Sequence, residues 1–279
     1  MAGRLPLCFA LLAAPCGAGA PSARPPYPWL ATYNPAQSIR RRIPPPAGCQ
    51  RTKAEPNSFA AWLRGLPLKP GRPPVLLYNG QRKRNQAAHH AVLDIDVGNR
   101  DLQQCADAVM RLRAEYLYSR GDLAAIHFDF TSGDRADFTK WAQGFRPIVR
   151  GSKVAWAKSA RPSSSHDSLR SYLTRVYIYA GTLSLSREMR RADAAQMQIG
   201  DVFIQGGSPG HAVLVIDMAV EPRTGRKLFL LAQSYMPAQD VHVLRNPADA
   251  ALSPWYPLPL GATLRTPEWN FRATDLRRF

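Results

Sequence analysis

Apolar residues fall in short blocks separated by turn chemistry from Ile199 to Leu244. Val202-Phe-Ile is followed by Gly206-Gly-Ser-Pro-Gly210, then His211-Ala-Val-Leu-Val-Ile, then Lys227-Leu-Phe-Leu-Leu-Ala-Gln233, then Asp240-Val-His-Val-Leu244. Such blocks predict successive antiparallel strands, with His211 at the mouth of the second. Upstream the period lengthens. Leu102, Cys105, Val109, Leu112 and Tyr116 share one face of a helix predicted from an Asp101 N-cap to about Tyr118. Phe59, Trp62, Leu63 and Leu66 do the same after Asn57-Ser58, and Pro67 and Pro70 end that helix. Val75–Tyr78 reads as a strand turned by Asn79-Gly80, with Ala91–Asp96 as its partner. Ile126–Phe130 alternates as a half-buried strand; 134–141, 169–178 and 184–191 read as helices. The segments around Trp255-Tyr256 and Trp269-Asn-Phe271 read as covering loops. The order of elements predicts an α+β fold.

A chain of 279 residues with 45% apolar content can bury a sizeable core. Three regions are expected. Residues 1–20 have the form of an export signal, Arg4 leading into a short apolar run and then small residues. Residues 21–56 are rich in proline (Pro25-Pro26, Pro44-Pro45-Pro46) and read as an extended arm or linker outside the core. Residues 57–279 form the folded domain. The expected location is the periplasm or cell envelope, and Cys16 leaves a lipid anchor open. No run is long enough for a transmembrane helix.

Net charge is +17, from 37 Lys and Arg against 20 Asp and Glu. That balance favours an anionic partner, such as an envelope polymer or peptide, and is compatible with peripheral membrane association. No basic run interleaved with stacking aromatics suggests a nucleic-acid groove. Cys49 and Cys105 lie in the body of the chain, and in an oxidising compartment they are also candidates for a disulfide.

The candidate chemistry is nucleophilic. Unpaired N–H groups at a helix start lower a thiol pKa, and Cys105 stands in that position. An imidazole must then take and return the proton, and His211 after Gly210 is the candidate. The Gln233 side-chain amide would orient the ring, and the Gln104 or Gln103 amide with the Cys105 N–H would form an oxyanion hole. Ser234 and Gln239 are alternative orienting groups. Metals and cofactors are not expected. Asp94, Asp96, Asp101 and Asp107 are scattered over different elements, and His89-His90 lack a third ligand at metal spacing. His127, His166 and His242 need no role beyond packing, and nothing in the sequence pairs Glu115 or Asp217.

The run Gly200-Asp-Val-Phe … Gly210-His211-Ala-Val-Leu-Val resembles the histidine region of NlpC-type cell-wall peptidases and CHAP amidases. These enzymes are papain-like, with a Cys heading a helix packed on an antiparallel sheet that carries the His and a polar third residue. The resemblance implies an exported cysteine hydrolase or amidase using Cys105, His211 and Gln233 on an amide or ester, for example in a cell-wall peptide. The nucleophile context is Gln104-Cys105-Ala106, where those families usually have Asp-Cys-Ser or Asp-Cys-Gly. A non-catalytic envelope-binding domain of the same fold is the alternative. From about Gly48 to the end, through Asp101-Leu-Gln-Gln-Cys-Ala-Asp and Ala232-Gln-Ser-Tyr-Met-Pro-Ala-Gln239, the chain also resembles a bacterial family of unknown function, domain of unknown function 4846.

Overall fold

A computed structural model describes residues 1, 3 and 24–279; the expected export signal lies outside the described residues. Ten elements position the site: α1 (Phe59–Arg64), β1 (His89–Val92), α2 (Cys105–Ser119), α3 (His166–Tyr179), α4 (Thr182–Glu188), β2 (Val202–Gln205), β3 (His211–Val220), β4 (Lys227–Gln233), β5 (His242–Leu244) and β6 (Leu276–Arg278). Among the described residues, nine strands make one antiparallel sheet. Its path runs β1-β5-β4-β3-β2-β6 and ends on Arg190–Arg191, while Gln50–Arg51 pairs with β3 and Tyr256–Pro257 with β4.

Period-two alternation divides the sheet into two buried faces. Ala212, Leu214 and Ile216 of β3, with Val202 and Ile204 of β2, join a core shared with α1, α2 and α3. Val213, Val215, Phe203, Phe229 and Leu231 face a second core closed by Tyr256, Leu264 and Phe271. The C-terminal segments therefore complete a core, which is why their aromatic residues are apolar and closely spaced. With both faces covered, β3 and β4 read as nearly continuous apolar runs.

Four expectations change. The arm is not outside the core: Tyr27, Ile39 and Ile43 are buried, and Gln50–Arg51 is a strand of the sheet. Proline density reports extended backbone, which packs as readily as it dangles when apolar residues punctuate it. The Asn79-Gly80 turn closes only a local loop, with Leu76 opposite Arg82, and β1 pairs with β5 instead of Val75–Tyr78. A partner that distant in sequence leaves no local trace. Residues 135–137 form a strand against 127–129 before a short helix at Phe138–Ala142. Finally, α2 starts at Cys105 with Gln104 as its N-cap, not at Asp101.

Candidate functional site

Cys105 is the first residue of α2 and is 7% exposed. Its neighbours at the helix start are held from two sides. The Asp107 carboxylate accepts from the Gln104 backbone N–H at 3.0 Å, and Ser234 Oγ donates to the Gln103 carbonyl at 3.1 Å. Asp101 accepts from Gln104 Nε2 at 3.0 Å and from the Ala238 N–H at 2.7 Å, tying the turn before α2 to the chain beyond β4.

Backbone N–H groups of Cys105, Ala106 and Ala212 favour the thiolate, as a helix start should. Burial and the nearby Asp107 carboxylate act against them and prevail, pushing the thiol up to about 11. The expected lowering of the thiol pKa is thus corrected: in a site this dry, desolvation of the anion exceeds the gain from a few amide dipoles. Asp107 is itself raised to about 8 by burial, so near neutral pH it is largely protonated.

His211 opens β3 and is 1% exposed. The position depends on Gly210: a Cβ there would lie 2.4 Å from Thr182 Oγ1 and 2.6 Å from the Gly207 carbonyl. Only glycine lets α4 approach the loop this closely. The imidazole donates from Nε2 to Gln233 Oε1 at 2.8 Å. The amide orientation of Gln233 follows from its other end, where Nε2 donates to Glu268 Oε2 at 2.7 Å, a contact only the NH2 group can make with a carboxylate. Glu268 in turn pairs with the buried Lys83 ammonium at 2.5 Å. Tyr235, Trp269 and Phe271 enclose the ring at centroid distances of 4.7, 5.4 and 5.9 Å. Burial lowers His211 to about 4, and Lys83 adds to the lowering. His242, behind Gln233, is lowered to about 3 by the same causes. Both rings are neutral at physiological pH.

The fold therefore joins His211, Gln233, Glu268 and Lys83 in one hydrogen-bonded chain. It brings Cys105 beside Ala212, the residue after His211, but no hydrogen bond links thiol to imidazole among the described residues. Strand alternation accounts for this: Ala212 faces α2, whereas His211 shares the opposite face with Val213 and the C-terminal segment. The thiol opens instead to a cleft of about 330 Å³ lined by Gln104, Asp107, Tyr177, Thr182, Pro209 and Gly210, among others. Gln104 thus borders the cleft, although one of its amide hydrogens is held by Asp101. Gln103 is buried and serves structure, accepting from Arg111 at 3.1 Å. Ser234 and Gln239 bond to backbone carbonyls rather than to the imidazole.

Glu268 and Lys83 escape sequence reading. They lie far from His211 in the chain, in loops with no periodic signal, and only the fold makes them neighbours of Gln233. The two carboxylates that sequence left unpaired are both partnered: Asp217 with Arg51 and Arg64, Glu115 with Arg111 and His166. Cys49 and Cys105 are both free thiols, so the disulfide alternative does not hold in this structure. No helix among the described residues is long and apolar enough to cross a membrane.

Fold and site together define a mixed α+β protein with one large antiparallel sheet and a buried Cys, His and Gln near one end of it. Residues 39–278 match the family described as domain of unknown function 4846, and the chain belongs to that family. No curated protein and no solved structure matches it.

Proposed function

We propose that the protein is an exported cysteine hydrolase or amidase of papain-like type, with Cys105 as nucleophile, His211 as general base and then acid, and Gln233 as the group that holds His211. The observation that carries this reading is the His211 Nε2–H···Gln233 bond, itself braced by Glu268 and Lys83. An imidazole committed through Nε2 keeps Nδ1 for proton exchange, and such bracing exceeds what a packed histidine requires. Support also comes from the Cys105 position at a helix start beside Ala212, the same order of thiol, imidazole and amide as in NlpC-type and CHAP enzymes.

In this reading a peptide carbonyl enters the cleft, the thiol proton passes to His211 as sulfur attacks, and His211 returns it to the departing amine. The amide of Gln104 and the Cys105 N–H hold the oxyanion. Both groups are neutral beforehand, so the transfer accompanies attack. Because His211 lies on the face of β3 opposite α2, the thiol proton reaches its Nδ1 only through a shift of the start of β3 that keeps the Nε2–Gln233 bond. Cell-wall peptides in the periplasm or envelope are the substrates to screen first, a choice that rests on the family resemblance.

The test incubates the purified chain with cell-wall peptide fragments and follows new amino groups and a Cys105 thioester by mass spectrometry. Turnover lost in Cys105→Ala and reduced at least about 100-fold in His211→Ala supports the proposal. Absence of both turnover and thioester across amide and ester substrates refutes it. The second reading is a non-catalytic envelope-binding domain of the same fold. It is favoured by the raised thiol pKa and by the missing thiol–imidazole bond.

A further inference from the structure

Away from the cysteine cleft, four arginines converge on one groove. Arg40, Arg41, Arg51 and Arg64 line it together with Ser38 and Thr52, enclosing about 530 Å³. The inner pair is unusual in its charge. Arg51 Nε and Arg64 Nε sit 2.7 and 2.5 Å from the two oxygens of Asp217, whose side chain is fully buried. One carboxylate thus serves two largely buried guanidinium groups, leaving the triad with one positive charge in excess.

That excess is not relieved nearby. Arg64 places three of its four remaining N–H groups on the Thr52 carbonyl, Thr52 Oγ1 and the Met218 carbonyl. Arg51 uses Nη2 on the Ile43 carbonyl, and its Nη1 has no protein partner among the described residues. At the rim, Arg40 and Arg41 are exposed and make no ion pair among the described residues. Arg42, the next residue, turns away to Gln37 and to the Lys69 and Gly71 carbonyls. No carboxylate side chain lines the groove itself. Four arginines over one carboxylate make the site +3.

An uncompensated cation held out of water is costly, and a folded chain tolerates it where an anion arrives to share it. Planar guanidinium forks match phosphate oxygens in pairs, and Arg40 and Arg41, on the single helical turn Ile39–Arg42 at the rim, can close over an anion seated on the inner pair. We propose that this groove is a binding site for a phosphate-bearing group. A nucleic-acid strand fits less well. It would need a continuous basic track and open aromatic faces, yet the Tyr33 ring packs on Tyr27 at 4.7 Å and its hydroxyl is held by the Gly65 carbonyl. A phosphate ester in solution and a phospholipid headgroup present the same chemistry, and the experiment separates them.

The full chain is titrated calorimetrically with glycerol phosphate, and its sedimentation with phosphatidylcholine vesicles is measured with and without phosphatidylglycerol. Two variants are compared: Arg40→Ala/Arg41→Ala, at exposed positions that leave the Asp217 triad intact, and Arg190→Ala/Arg191→Ala, which removes the same charge from exposed positions outside the groove. Saturable binding to either probe, weakened about tenfold or more by the first variant and little by the second, supports the site. Glycerol phosphate binding identifies a soluble ester; binding only to phosphatidylglycerol vesicles identifies a headgroup. No saturable binding to either, or equal weakening by both variants, overturns the proposal. Neither result depends on whether Cys105 is catalytic.

Discussion

The protonation state of Cys105 and His211 follows from burial and can be measured directly. The perturbation is pH, applied to the wild type and to His211→Ala. Moving a proton from a thiol at about 11 to an imidazole at about 4 spans a difference of about 7 pH units. At about 1.4 kcal/mol per unit this is roughly 9–10 kcal/mol uphill. Two unit charges about 4 Å apart recover only about 4 kcal/mol at an effective dielectric of about 20. The neutral pair therefore wins by about 5 kcal/mol, and free thiolate at pH 7 is about one molecule in 10,000 for a pKa of about 11. Iodoacetamide labelling of the Cys105 peptide, read by mass spectrometry under native conditions, should rise about tenfold per pH unit from 6 to 9. His211→Ala should leave that profile within about one pH unit of the wild type. A flat, fast labelling rate below neutral pH that disappears in His211→Ala would refute the reasoning. It would mean that a thiolate–imidazolium pair forms and that the site is far less desolvated than its burial indicates.

Three other outcomes follow from the same geometry. Glu268→Ala leaves the Lys83 ammonium buried without its carboxylate and should cost about 3 kcal/mol in urea unfolding; adding Lys83→Met should recover part of that loss, and strict additivity of the two changes would show that the ion pair is not the cause. Asp107 has a folded pKa raised from its ordinary value of 3.8 to about 8, so its penalty on stability grows as pH rises through that window and is complete above it; Asp107→Asn should raise the melting temperature at pH 9 by the equivalent of up to about 6 kcal/mol, with little gain at pH 4, and an equal gain at both would contradict the assignment. His211 and His242 are lowered, from 6.5 to about 4 and about 3, so the unfolded chain takes up their protons first as pH falls. Stability should drop below about pH 6.5 and this contribution should level off near pH 3, by up to about 3 kcal/mol for His211 and about 5 kcal/mol for His242; His242→Gln should flatten the decline, and a wild-type melting temperature constant from pH 7 to 4 would rule it out.

Legibility followed the range over which each feature is determined. The alternating blocks from Val202 to Leu244 marked the central strands, because burial on a sheet face imposes its period on neighbouring residues. The Gly/Pro turn before His211 placed that residue at the mouth of a strand, and the apolar face of α2 included Cys105. Helix starts were less legible: Asp101 looked like a cap, yet its carboxylate is used by Gln104 Nε2 and the Ala238 N–H. Proline content in residues 21–56 suggested an arm, although Tyr27, Ile39 and Ile43 are core residues.

By itself, the sequence determined the α+β class, the strand-rich second half and the three residue types of the candidate site. These rest on local periodicity and turn chemistry, which a single chain records residue by residue. Tertiary structure alone decided that β1 pairs with β5, that Glu268 and Lys83 brace Gln233, and that Arg51 and Arg64 share Asp217. It also decided that Cys105 is a high-pKa thiol rather than a low one, because desolvation depends on everything packed around the sulfur. Partners brought together from distant points of the chain, and the dielectric they create, have no counterpart in local spacing.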